Sequence, residues 1–375
     1  MKIGLITECY KPVVNGVVFC VENLKRELKK EGHEVTIFAP DYGKKNVKED
    51  GVVHCPSLPL GSTNYQLAFG YPKEIRKILE SMDILHTHHP FTMARLALNT
   101  KRKKKIPLVF TNHSQYDQYI KYVPLFKDSA KNLLNAYLKN FCNKCDRIIA
   151  LSTGIAREIK SYGTKTKIDI VNNGIDVKKF QKKFKRPKKY DQIPKDRKIV
   201  LHLGRIAHEK NINFLIRSFA KMLIKFPKSH FVIVGSGPAL EDTNLLIKKL
   251  KIDNNVLVTG PIERELVPSF YQHSDVFASA SKTEVHPLVG LEAMASGLPI
   301  VTLKSVGYED IVIHNKTGLF AKEKESDFAD KMQMILKNLD LKNTMSKSSR
   351  KRSKLFSIQE NVRKTLDIYK ELTKK

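Results

Sequence analysis

Glu284 and Glu292, separated by seven residues in Ser281-Lys-Thr-Glu284-Val-His-Pro-Leu-Val-Gly-Leu-Glu292-Ala-Met-Ala-Ser-Gly297-Leu-Pro299, are the side chains best suited to chemistry in this 375-residue sequence. Paired carboxylates can accept hydrogen bonds from hydroxyls, or act as the acid and nucleophile of a glycoside hydrolase. Gly297 and Pro299 read as a helix stop, so a short helix is expected over about 288–296. Glu284 then lies in the loop before the helix and Glu292 in its first turns, where helix N-terminal amides favour an anion. Leu288 and Val289 can offer such amides; Pro287 has none. Spacing alone favours one helix-start charge and one solvated loop charge.

Three further places carry candidate chemistry. Gly204-Arg205 is followed by Lys210; read alone, an Arg and a Lys five apart in a lysine-rich chain suit a solvated surface, although fixed cations at a strand end can also meet an anion. Asn15-Gly16-Val17 is a glycine turn before a helical stretch, an arrangement that lets backbone approach a phosphate. His113, in Thr-Asn-His-Ser, follows an apolar run and can hydrogen-bond or balance charge, and less securely act as acid or base. Gly235-Ser236-Gly237-Pro238 reads as a tight turn at least as readily as a ligand loop. His86-Thr-His88-His89 and Cys142-x-x-Cys145 have no complementary ligand set for a metal.

These residues follow apolar, β-branched runs that alternate with helical spacing. Strands are expected at 2–7, 35–39, 84–88, 108–111, 147–151 and 168–171, and again at 199–203, 231–234, 256–259, 276–279 and 300–303. Such alternation implies parallel sheets covered on both faces, with ligands beyond the carboxyl ends of the strands. The pattern lapses into Lys, Pro and Asp between Lys182 and Lys198, which places a boundary there: an N-terminal domain over 1–185 and a second over 186–355. A last helix, within 356–375, has an apolar face that needs a partner surface, and packing on the first domain is expected.

Taken in order, these motifs resemble the glycosyltransferases of family 4 over nearly the whole chain. The resemblance implies the GT-B fold, an α/β architecture of two doubly wound Rossmann-like parallel-sheet domains facing across a cleft, and retention at the anomeric carbon. It implies that Glu292 binds the donor ribose, Glu284 the hydroxyls of the transferred sugar, Gly204, Arg205 and Lys210 the pyrophosphate, and Gly16 the diphosphate through its backbone. It places His113 close to the sugar and the acceptor, so that His113, Glu284, Arg205 and Lys210 form the expected catalytic set, with no bound metal or other cofactor. Val285-His286-Pro287 stands where the family usually has a glycine-rich stretch.

The segment Gln115-Tyr116-Asp117-Gln118-Tyr119-Ile-Lys121-Tyr122-Val-Pro124 is similar to the acceptor side of family members that glucosylate diacylglycerol, which marks Tyr116, Tyr119 and Tyr122 as acceptor-side residues. The stretch 127–141 is amphipathic and suits either packing on the sheet or lying on an anionic membrane. A net charge of +29 permits acidic partners of several kinds. No aromatic-basic RNA motif or DNA-reading element accompanies it, which argues against nucleic acid. No apolar run reaches eighteen residues and the five cysteines are scattered, so reduced thiols and a cytoplasmic chain, peripheral on the inner membrane face, are expected. The donor expected is a UDP- or GDP-hexose, UDP-glucose first, and the acceptor a lipid or lipid-linked hydroxyl such as diacylglycerol. A polysaccharide or soluble acceptor is the alternative; a hydrolase would leave Arg205 and Lys210 without a role.

Overall fold

In the computed structural model, residues 1–60, 65–69, 71–119 and 127–374 are described, the side chains of 118, 119 and 127–130 excepted. The chain divides into two compact units, Met1–Gly174 with Ile358–Lys375, and Ile175–Ser357.

The first unit runs β1 (Lys2–Ile6), α1 (Gly16–Lys30), β2 (Glu34–Pro40), β3 (Val52–Cys55), a short ribbon of β4 (Ser57–Pro59) and β5 (Gln66–Ala68), α2 (Lys73–Glu80), β6 (Ile84–Thr87), α3 (Thr92–Lys104) and β7 (Leu108–Asn112). It continues with α4 (Tyr116–Tyr119), α5 (Lys127–Cys142), β8 (Arg147–Ala150), α6 (Thr153–Ser161) and β9 (Ile168–Ile170). Seven strands form one sheet in the order β3-β2-β1-β6-β7-β8-β9, with every neighbouring pair parallel. Central strands are buried on both faces, which is why they read as unbroken apolar runs.

The second unit opens with α7 (Val177–Gln181), then β10 (Lys198–Leu203), α8 (Ile212–Lys225), β11 (Ser229–Val234), α9 (Leu240–Lys249), β12 (Val256–Gly260), α10 (Val267–Gln272) and β13 (Val276–Ser279). After these come α11 (Leu288–Ala295), β14 (Ile300–Leu303), β15 (Gly318–Ala321), α12 (Glu325–Lys337) and α13 (Leu339–Ser353). Its sheet is parallel throughout, in the order β12-β11-β10-β13-β14-β15. In both sheets the order reverses beside the first strand, the place where open α/β sheets bind ligands.

The last helix, α14 (Ile358–Thr373), returns to the first unit. Val362, Leu366, Ile368 and Tyr369 are buried with β1, α1 and β2 side chains in one core, and Arg147 of β8 is ion-paired with both Asp169 and Glu371. The division between units falls at Gly174, ahead of the lysine-rich stretch that suggested a boundary, because Val177, Phe180, Tyr190 and Ile193 within or beside that stretch are buried in the core of the second unit. All five cysteines are thiols. Among the described residues no helix is long and apolar enough to cross a membrane.

Candidate active site

The second unit gathers the charged candidates at the carboxyl ends of β10 and β13. Gly204 and Arg205 leave β10, and a single 3₁₀ turn over His208–Lys210 precedes α8. That turn directs Lys210 to Glu284: Nζ lies 2.6 Å from Oε1, with both side chains largely buried. Arg205 is more exposed and pairs with Glu209, four residues on. The backbone beneath is tightly packed. At Gly235, where φ is +137°, an added Cβ would stand 2.0 Å from the Gly204 carbonyl oxygen, so only glycine lets the loops after β10 and β11 meet. At Gly307 a Cβ would stand 2.5 Å from the Glu284 carbonyl oxygen, which makes Gly307 part of the seat of that glutamate.

Glu292 lies in the second turn of α11 and is buried. The Tyr271 hydroxyl, on α10, is 3.1 Å from Glu292 Oε2 and 3.1 Å from the Val289 carbonyl oxygen, and can donate to either. Burial pushes the Glu292 carboxyl up to about 7, against the opposing pull of Arg264, the Tyr271 hydrogen bond and Lys179. The group is therefore poised to ionise near neutral pH, and its carboxylate form would accept hydrogen bonds from vicinal hydroxyls. Leu288 and Val289 occupy the first two positions of α11, where amides have no carbonyl four residues back to bond. Pro287 is the N-cap and brings no amide, as its type dictates.

The first unit gathers histidines at the ends of β6 and β7. His113 Nε2 lies 2.9 Å from His88 Nδ1, so one ring donates and the other accepts. His86 spends both nitrogens, 2.5 Å from the Tyr369 hydroxyl and 2.6 Å from Thr111 Oγ1. His89 Nδ1 accepts the Glu8 N–H at 3.2 Å, while Glu8 itself accepts from the Met93 N–H and the Thr92 hydroxyl at the start of α3. Burial and neighbouring rings hold His113 and His88 well below the usual histidine range. His113 thus offers hydrogen bonding without charge at neutral pH. A cavity of about 30 Å³, lined by Cys20, His86, His88, Thr111, His113 and Asn173 among others, adjoins the pair. Among the described residues no three His, Cys, Asp or Glu side chains are grouped to hold a metal.

Gly16 is the first residue of α1, and the Asn15 side chain caps it by accepting the Val18 N–H at 2.9 Å. Of the acceptor-side tyrosines, Tyr116 is buried with its ring edge-on to Phe91 at 5.6 Å. The backbone of Tyr119 closes α4, and Tyr122 lies outside the described residues. Helix α5 is divided in its packing: Leu138 and Phe141 are buried, Phe141 against Phe110, whereas Leu133 is exposed.

Residues 14–179 match the family described as Glycosyltransferase Family 4, and residues 183–352 that described as Glycosyl transferases group 1. The alpha-monoglucosyldiacylglycerol synthase of Streptococcus pneumoniae is 32% identical over 80% of this chain and 70% of its own. The chain is a family 4 glycosyltransferase. The enzyme of the same name from Acholeplasma laidlawii is 28% identical over 100% of this chain and 98% of its own. The Anabaena protein HepE in complex with UDP-glucose superposes with a TM-score of 0.78 at 17% identity, over 99% of this chain and 100% of that one. The fold is GT-B and the glycosyltransferase is a hexosyltransferase.

Sequence reasoning missed three residues of this glycosyltransferase that bear on the candidate set. Tyr271 sits among Val267, Pro268, Phe270 and buried aromatic neighbours, and reads as plain core. His88 reads in sequence as one of a histidine tract with no metal-ligand set, although its place at a strand end beside that of His113 is a signal in a doubly wound sheet. Gly307 follows a strand with no motif around it, and nothing in the sequence distinguishes it.

Proposed function

We propose that this glycosyltransferase moves glucose from UDP-glucose to diacylglycerol at a membrane surface, with retention at the anomeric carbon. The observation that carries the donor assignment is the Lys210–Glu284 contact, with Arg205 at the end of β10 and Glu292 in α11, the helix that follows β13. A cation beside a carboxylate suits a hexosyl diphosphate: Lys210 and Arg205 meet the phosphate charge, Glu284 accepts from sugar hydroxyls, and Glu292 accepts from the ribose. Two relatives named for alpha-glucosyl transfer to diacylglycerol, and a structural neighbour holding UDP-glucose, support the choice of sugar and acceptor. UDP-glucose is itself α-linked, so an alpha product keeps the configuration.

In the step we propose, the bond from the anomeric carbon to the diphosphate oxygen breaks as the acceptor oxygen bonds to the same face. The acceptor proton passes to the departing diphosphate, whose growing negative charge Lys210 and Arg205 stabilise. His113, neutral and held by His88, positions sugar or acceptor hydroxyls by hydrogen bonding. The test offers UDP- and GDP-hexoses with diacylglycerol in detergent micelles, identifies the product by mass and reads the anomeric coupling by NMR. An alpha-glucosyl lipid from UDP-glucose is expected. A β-anomer would overturn retention, transfer only to a soluble acceptor such as glycerol would overturn the lipid assignment, and release of glucose only to water would favour hydrolysis.

A further inference from the structure

His88 and His113 share one hydrogen bond, from Nδ1 of the first to Nε2 of the second at 2.9 Å. Burial keeps both rings neutral, so each carries a single ring proton. Two arrangements follow. If His88 Nδ1–H donates, His88 Nε2 is a lone pair and His113 carries its proton on Nδ1. If His113 Nε2–H donates, the proton of His88 sits on Nε2 and His113 Nδ1 is a lone pair. The two rings change tautomer together, so whatever His88 Nε2 meets decides what His113 Nδ1 shows a ligand.

His88 is buried, and its Nε2 meets no protein hydrogen-bond partner among the described residues. The ring lines the cavity of about 30 Å³, together with Thr365 and Asn361 of α14 and with Cys20 and Asn173. Roughly 10–15 Å³ suffices for one water, provided that polar groups bind it.

The other polar groups of this lining have already spent protons. The Thr365 hydroxyl donates to the Asn361 carbonyl at 2.8 Å, and the Asn361 side-chain amide donates to the Asn172 carbonyl at 2.7 Å. The Cys20 thiol donates to Asn173 Oδ1 at 3.2 Å, and His86 has both nitrogens engaged with Tyr369 and Thr111. What Thr365 and Asn361 have left to offer a water is chiefly oxygen lone pairs. A water bound to two such oxygens spends both hydrogens on them and turns its own lone pair to its next partner. That partner is His88 Nε2, which then has to donate.

We infer that a water buried in this cavity holds His88 with its proton on Nε2, which makes His88 a positioning residue that fixes His113 with Nδ1 as a hydrogen-bond acceptor. A lone pair at His113 Nδ1 takes an O–H and rejects an ether or carbonyl oxygen. Among the oxygens of diacylglycerol it selects the free hydroxyl over the ester carbonyls. The inference rests on the reading of His113 as a partner of substrate hydroxyls and narrows it from either hydrogen-bonding role to that of acceptor.

The test is a two-bond nitrogen–proton correlation spectrum of the full chain carrying nitrogen-15 histidine, without ligand at neutral pH. The signals of the two rings are assigned by their loss in His88→Asn and in His113→Asn. Both rings are expected with a protonated Nε2 and a bare Nδ1; a protonated Nδ1 in both overturns the inference. Thr365→Val keeps the side-chain volume and takes one oxygen from the cavity, so it should shift the tautomer ratio of both rings toward Nδ1–H by about fivefold, the worth of one hydrogen bond. Thr365→Ser, which keeps the hydroxyl, should restore the wild-type ratio. A Thr365→Val spectrum identical with that of wild type overturns the role of the cavity water, and should that variant fail to fold, the wild-type spectrum still decides. Full activity of His113→Ala on diacylglycerol in micelles would instead overturn the reading of His113 as a substrate partner, whatever the tautomers are.

Discussion

The two sets of strand-end residues differ in how they hold their charge. In the second unit, Lys210 and Glu284 are in contact as a cation and a carboxylate, and Arg205 pairs with Glu209. In the first unit, His113 and His88 share a hydrogen bond, His86 bonds Thr111 with its ring 4.4 Å from that of His88, and burial keeps the rings neutral. In the transfer proposed above, a diphosphate leaving group calls for charge, which the second unit's set offers, and a hydroxyl calls only for a well-placed donor or acceptor, which the first unit's set offers. The contrast also predicts different responses to substitution and to pH.

The largest effect should follow Lys210→Ala, which removes the cation and leaves Glu284 without the partner at 2.6 Å. A loss of about 100- to 1000-fold in kcat/KM is expected, the range for deleting one group that stabilises developing charge. Arg205→Ala should cost less, because its side chain is more exposed and already shared with Glu209. Equal losses from the two variants would break the ranking and place the diphosphate nearer Arg205.

His113→Ala comes next, at roughly 10- to 100-fold in kcat, since a hydrogen bond and not a fixed charge is removed. The sharper reading is in the pH profile. A ring held well below the usual histidine range contributes no step between pH 6 and 9, so the wild-type profile there should contain none that His113→Ala abolishes. A step that does vanish in the variant would show that the ring ionises in use and would erase the contrast between the two sets.

Tyr271→Phe tests the exception within the second unit, where Glu292 is buried and ionises at about 7. If its carboxylate accepts from the ribose, UDP-glucose, whose diphosphate stays fully ionised, should bind more tightly as pH rises through 7. The Tyr271 hydrogen bond favours the ionised form, so its removal should move that midpoint upward and weaken binding at pH 7 by about tenfold. The unliganded protein responds oppositely. With the folded pKa above that of the unfolded chain, the native state binds the extra proton, so stability falls as pH rises from the ordinary carboxylate range through about 7. Glu292→Gln should flatten both curves; a binding curve that keeps its step would assign the titration to another group.

Much of this arrangement was legible because buried parallel strands announce themselves as apolar runs, and the strand ends then point to Glu284, Lys210 and His113. What escaped has physical causes. β4 and β5 are three residues each, and of their six residues only Ala68 is buried, so they carry no long apolar run. The stretch after Gly174 is dominated by lysines, which hide Val177, Phe180, Tyr190 and Ile193 from a composition-based boundary. Tyr271 differs from its core neighbours by a single hydroxyl, and only the folded chain reveals that this hydroxyl ends at Glu292. The distances that turn Lys210 and Glu284 into a pair depend on packing between loops 74 residues apart in sequence.

The smallest effect should come from Tyr369→Phe, which separates support from chemistry in the histidine set. Tyr369 belongs to α14, is fully buried, and its hydroxyl meets His86 Nδ1. His86 in turn meets Thr111, two residues before His113 on the chain. Losing one hydroxyl and leaving a buried ring nitrogen unsatisfied should cost about 1–3 kcal/mol of stability, read as a lower urea midpoint at unchanged m-value. Because the hydroxyl supports the cluster from the side of α14, kcat/KM should stay within about threefold of wild type. Should activity instead fall more than tenfold while the urea midpoint holds, the chain from Tyr369 through His86 would have to govern the state of His113, and the first unit would be tuning its histidine electronically instead of simply holding it.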